Sequence, residues 1–181
     1  IRCILPSVDT LDLYLRANTL IWGDSAQGQY VRIGDRYSLV KSFDGLPERV
    51  DEDPNVWLTY AVFETVQGVV VILNDIDQNG LAGDFETVYG IIVNGIYSGS
   101  FANGVGIGST VGAMDSAFGA PDTTYLDPAL PPAWVYQYKT EGITFYADQA
   151  TPRRVFEIHL ISSSLTQPVG LRRHQQPGAP K

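Results

Sequence analysis

Residues Val105–Pro121, VGIGSTVGAMDSAFGAP, echo a stretch 74 residues earlier, Val31–Pro47, VRIGDRYSLVKSFDGLP. Laid over each other without gaps, Val31, Ile33, Gly34, Ser42, Gly45 and Pro47 coincide with Val105, Ile107, Gly108, Ser116, Gly119 and Pro121. Asp53 and Pro54 fall on Asp127 and Pro128, and after a slip of three residues Trp57 falls on Trp134. An internal echo of this length implies one supersecondary unit used twice, which restricts the fold more than any single residue does.

The echo reads as a capped helix. Asp35 and Ser109 follow Ile-Gly, where a side-chain oxygen can satisfy a free amide of a first helical turn. Apolar residues then come at helical spacing: Tyr37, Val40 and Phe43 in one copy, Val111, Met114 and Phe118 in the other. Gly45 and Gly119 stand where a left-handed residue ends a helix, and a proline follows each. Gly112 weakens the second helix, so packing must hold it.

Strand material follows each helix. Copy one offers 56–65, 68–73 and 87–93; copy two offers 134–138, 143–147 and 154–161. In the last, Val155, Glu157 and His159 alternate with Phe156, Ile158 and Leu160. The expected fold is α+β: two tandem repeats, each a short helix followed by a three-stranded antiparallel meander. The expected divisions are an N-terminal extension over 1–29, repeat one over 30–98, repeat two over 99–161 and a tail over 162–181. Each copy has about 65–75 residues, marginal alone, so the two are expected to share a core or a continuous interface. The segments 48–53 and 125–132 read as acidic or proline-bearing connectors, and Trp22, Trp57 and Trp134 as core or sheet-face residues.

The combination of a helix opened by Ile33-Gly34 or Ile107-Gly108, a Gly45-x-Pro47 or Gly119-x-Pro121 stop, and then Trp57 or Trp134 resembles the SmpA/OmlA (BamE-like) envelope domains. The tandem arrangement, over about residues 31–161, is similar to β-lactamase inhibitory protein. The resemblance implies a non-enzymatic protein that contacts other proteins. It departs from the family at the threonine that commonly follows the helix-opening glycine, and in a long connection between the last two strands of copy one.

That connection carries the chain's one chemical motif. Asp75-x-Asp77-x-Asn79-Gly80, five further residues and Glu86 match the twelve-residue calcium loop. Asp75, Asp77 and Asn79 present oxygens at alternate positions, Gly80 allows a sharp turn, Leu81 offers its carbonyl, and Glu86 can bind through two oxygens. Position nine is Gly83, with Asp84 one later as a substitute ligand. The flanks 69–73 and 87–93 read as strands, so the loop is expected inside a β-hairpin and not between helices. The ion expected is calcium, held by Asp75, Asp77, Asn79, Leu81, Asp84 and Glu86. The competing reading is that Asp, Asn and Gly are ordinary turn residues.

Composition narrows the function classes. The net charge of −8 argues against nucleic acid, whose phosphates need a basic footprint. There is no run of about 20 apolar residues, so no membrane span is expected. The chain starts at Ile1, which a trimmed chain and a removed export signal both explain. Cys3 is the single cysteine and cannot form an internal disulfide; lipidation or an intermolecular bridge remain open to it. With two histidines, His159 and His174, neither a transition-metal site nor a Cys/His nucleophile is expected, and no Gly-x-Ser-x-Gly elbow is present. Residues 104–108 mimic a phosphate loop with the wrong spacing and no lysine. Leu11, Leu13 and Leu15 alternate as in a strand, though Asp9 as a cap with Leu11, Tyr14 and Leu15 also fits a helix, and the tail gathers Arg172, Arg173, His174 and Lys181 on an acidic chain. These features lead to an expectation of an extracellular or cell-envelope protein, not an enzyme. It would be a structural subunit that self-associates through its extension and tail and is rigidified by calcium. The alternative expectation is a BamE-like binding module or secreted inhibitor.

Overall fold

The run Val69-Val70-Val71-Ile72-Leu73 is too short for a helix and too apolar for a strand with one wet face. It is the middle of a sheet covered on both sides. The computed structural model describes residues 12–14, 19–21, 30–44, 46–53, 57–63, 68–97, 100–101, 103–129 and 131–161. In it β6 (Val69–Asn74) lies between β5 (Leu58–Phe63) and β7 (Thr87–Val93), all antiparallel. β4 (Arg49–Asp53) pairs with β5. On the other side β7 pairs with β12 (Val155–Ile161), followed by β11 (Ile143–Ala147), β10 (Ala133–Tyr138) and β9 (Thr123–Asp127). The product is one eight-stranded sheet, ordered β4-β5-β6-β7-β12-β11-β10-β9. A smaller sheet of order β3-β2-β1-β8 joins β1 (Asp12–Tyr14), β2 (Thr19–Ile21), β3 (Tyr30–Arg32) and β8 (Ser100–Phe101). Two eight-residue helices, α1 (Tyr37–Asp44) and α2 (Val111–Phe118), complete the described elements.

Period-two alternation assigns the faces of the large sheet. Val69, Val71, Leu73, Ile91, Val93, Phe145, Ile158 and Leu160 share one core with Tyr37 and Val40 of α1 and Met114 of α2. Phe145 is ringed by Phe101, Phe118 and Tyr138 at 5.3–5.8 Å between centroids. The alternate residues, Leu58, Tyr60, Val62, Val70, Ile72, Tyr89, Ile92 and Ile161, are buried on the opposite face. Burial on both faces is why β5 and β6 read as continuous apolar runs.

The expected α+β fold of two helix-plus-three-stranded-meander repeats does not form. The protein is mostly β, built on a single sheet that runs across the 98/99 division through the β7–β12 pairing. Residues 49–53, within the expected connector 48–53, and 123–127, which overlaps the expected connector 125–132, are its two edge strands. Both are half-exposed, β4 carrying charge on four of its five residues and β9 leaving Tyr125 and Leu126 exposed, so they lack the buried apolar run of inner strands. The expected alternation in 155–160 also slips. A bulge shifts the register against β11 between Tyr146 and Ala147, and Val155 joins Ile158 and Leu160 on the helix side.

The echoed residues make matching local bonds. Gly34 N donates to Val88 O at 2.7 Å and Val88 N to Asp35 O at 2.8 Å; Gly108 N donates to Val155 O at 2.7 Å and Val155 N to Ser109 O at 2.9 Å. Asp35 and Ser109 are not helix caps. Their side chains accept from the amides three residues earlier, Arg32 at 2.7 Å and Gly106 at 3.0 Å, and so hold the turn before each helix. Thr110 caps α2, accepting from Ala113 N. Gly119 ends α2 at φ 80°, as expected. Gly45 lies outside the described residues. β1 is an interior strand of its sheet, paired with β2 and β8, so neither of its sides is open to a neighbouring molecule.

Candidate metal centre

The twelve residues between β6 and β7 form a folded connection. Asp75, 2% exposed, turns back on the loop: its Oδ1 accepts from Asn79 N at 3.2 Å and its Oδ2 from Gly80 N at 2.9 Å. Gln78 and Gly80 take φ values of 57° and 71°, which tighten the chain enough for that return. Asp77 Oδ2 accepts from Asn79 Nδ2 at 2.8 Å, and Asn79 Oδ1 from Leu81 N at 2.7 Å. The start of α1 braces the far end. Tyr37 N donates to Glu86 O at 2.8 Å and Ser38 N to Asp84 O at 3.2 Å.

Glu86 is the decisive residue. Its side chain is 0% exposed at the base of the loop. Oε2 accepts from Thr59 Oγ1 at 3.2 Å, while Oε1 is buried with no hydrogen-bond partner. Oxygens of Asp75, Asp77 and Glu86 all lie within 4.8 Å of one another. Burial pushes the Glu86 carboxyl from an ordinary 4.5 up to about 7, helped by the charges of Asp75 and Asp77 and opposed by hydrogen bonds from Thr59 and Gly83. Burial also opposes ionisation of Asp75, but hydrogen bonds from the backbone amides of Gly80, Asn79 and Gln78 outweigh it and hold that carboxyl low. An orphaned buried carboxylate oxygen costs about 1–3 kcal/mol or more. Oxygen-only donors clustered this way suit a hard divalent cation, which would satisfy the orphan and relieve the repulsion.

The remaining expected ligands are placed differently. The carboxylate of Asp84 is paired with Lys41 Nζ of α1, outside the three-carboxylate cluster. Asn79 and Leu81 sit on the exposed rim. A residue the motif does not include comes close instead. Glu52 of β4 lies opposite Thr59, with its carboxylate packed against Gly80. The run of acidic residues at 51–53 was the only trace of it in the sequence.

Other singled-out residues have structural roles. His159 is buried, with Nε2 at 2.7 Å from Glu157 Oε1 and its ring 4.5 Å from that of Tyr146. Trp134 packs against the core beneath the Arg153 guanidinium, 4.1 Å from its ring centre. Trp57 is not a core residue: it is 42% exposed at φ 52°, and its carbonyl accepts from Asp75 N at 3.0 Å. Cys3, Trp22 and the basic residues of 172–181 lie outside the described residues. No helix among the described residues is long and apolar enough to cross a membrane.

No family model matches the chain, and no curated protein does. Among solved structures, an extracellular protein containing an SCP domain from Bacillus anthracis str. Ames matches with 12% identity and a TM-score of 0.45. The match covers 72% of this chain and 44% of that one, so it spans less than half of that protein's length.

Proposed function

We propose that this chain is an exported, non-enzymatic structural protein whose β6–β7 connection binds calcium and is stiffened by it. The observation that carries the reading is the Glu86 carboxylate, fully buried, unpartnered at one oxygen and facing Asp75 and Asp77. Calcium, which accepts six to eight oxygens in flexible geometry, suits three loop carboxylates at the spacing of the twelve-residue pattern better than magnesium, which needs near-ideal octahedral geometry. The acidic chain favours cations and basic partners.

The protein's work on this reading is contact with protein, as a subunit that associates with its own kind. The contacts fall at the sheet edge β9, because β1 is taken on both sides and the charge on nearly every residue of β4 resists further pairing. β9 exposes Tyr125 and Leu126, and no lysine or proline blocks its five residues. A second reading, a module that docks a different protein, is favoured by a shallow groove beside the calcium loop. Leu46 and Leu81, 81% and 67% exposed, line it together with Tyr37 and Val50.

Calorimetry of the metal-stripped chain, followed by light scattering in calcium and in chelator, tests both parts. The expected result is saturable calcium uptake and particles that are multiples of 19.8 kDa in calcium. Absence of uptake removes the calcium reading. Uptake by a chain that stays monomeric removes self-association and leaves the docking module.

A further inference from the structure

Position nine of the calcium pattern is Gly83, which brings no side-chain oxygen to the loop. In loops of this type position nine often acts through a bound water. Glu52 reaches the loop from outside, with its carboxylate packed against Gly80. It stands in register with Thr59 across the β4–β5 pair, and Thr59 donates its hydroxyl to Glu86 Oε2. The Glu52 carboxylate is so close to Gly80 that a Cβ there would overlap it, with Oε1 at 2.9 Å. Only a glycine at position six lets this acid approach. Lys41, a cation beside the loop, is engaged by Asp84. The exposed Glu52 carboxylate lies against Gly80 of the loop that carries Asp75, Asp77 and Glu86, and a cation held by those three attracts it.

We propose that Glu52 is an outer ligand of the calcium site, holding one of the ion's waters, and that the ion thereby clasps edge strand β4 to the β6–β7 connection. The inference rests on the calcium reading above and adds to it a residue from a different strand. The group formed by Asp75, Asp77 and Glu86 closes without Glu52, which is why its role is assigned through water. The consequence reaches the sheet edge. β4 is held on one side by β5 alone among the described strands, so calcium becomes a second fastening for it.

The test is calcium titration by calorimetry with hydrogen exchange of the full chain, comparing wild type, Glu52→Gln and Asp53→Asn. Asp53 is the next residue in β4 and belongs to the opposite face of the sheet, so its variant removes the same charge from the same strand. Loss of an outer-shell partner lowers metal affinity about 10–100-fold. Glu52→Gln is expected to weaken calcium about 10-fold and to abolish calcium-dependent protection of the β4 amides, while loop amides stay protected. Asp53→Asn is expected to stay within about twofold of wild type. Equal affinity in wild type and Glu52→Gln overturns the proposal, and so does an equal loss in both variants, which would mean long-range charge alone. A wild type that takes up no calcium overturns the calcium reading as well, a result distinct from uptake that ignores Glu52.

Discussion

Replacing Glu86 by Gln changes one buried charge and little else, because the amide keeps the size of the acid and can still accept from Thr59. In the metal-free protein the Glu86 carboxyl holds its proton up to about pH 7, while the unfolded chain releases it near 4.5. The sign follows from that order. The folded state binds the extra proton, so the stability it brings is complete below about pH 4.5 and is lost as pH rises through about 7. The gap between those values corresponds to about 3 kcal/mol by linkage, taken as a ceiling. Glu86→Gln has no such proton to lose. Without metal, the variant is therefore expected to match wild type near pH 5 and to exceed it by about 2–3 kcal/mol at pH 8. Calcium offsets that advantage and brings the two proteins about level at pH 8. At a hundredfold excess over its dissociation constant the ion adds about 2.7 kcal/mol to wild type and nothing to a variant that cannot bind it. Urea melts at pH 5 to 8, with and without calcium, measure both effects. A metal-free wild type whose stability does not fall relative to Glu86→Gln between pH 5 and 8 refutes the assignment of a buried, unpartnered acid. A variant that gains as much from calcium as wild type does refutes its role as ligand.

Further outcomes follow from the same geometry. Gly80→Ala forces a side chain into φ 71° and into the Glu52 carboxylate; it is expected to cost about 1–3 kcal/mol in melts and to weaken calcium in calorimetry. Asp84→Asn is expected to leave calcium affinity within about twofold, because that carboxylate is paired with Lys41, whereas Asp75→Asn is expected to lose it by calorimetry. Phe145→Ala removes the ring at the centre of the aromatic cluster and is expected to cost about 3–5 kcal/mol by urea denaturation. Thr110→Ala removes the cap of α2 and is expected to cost about 1 kcal/mol in the same assay.

The inner strands and the loop were legible in the sequence; the architecture was not. Strands at 87–93 and 143–147 coincide with β7 and β11 because apolar side chains packed on both faces leave an unambiguous run. Asp75, Asp77 and Glu86 were placed together by spacing alone, since the twelve-residue pattern encodes its own turn. The edges were missed for a physical reason. Arg49–Asp53 must resist further pairing, so it carries charge on nearly every residue and imitates a connector. The caps were displaced by one position in copy two because Ser109 and Thr110 are both good caps, and only the turn geometry decides that Ser109 serves Gly106. The α+β expectation failed because nothing in the sequence states that β7 and β12 will pair across the division between copies. Glu52 was invisible as a site residue because its relation to Gly80 exists only after β4 has paired with β5.

Equilibrium dialysis of the metal-stripped chain against radiolabelled calcium, alongside Glu86→Gln, decides whether Asp75, Asp77 and the buried Glu86 hold a calcium ion. One ion retained per wild-type chain and none by the variant is the expected result. No retained ion in wild type, or equal retention in both, overturns the calcium proposal.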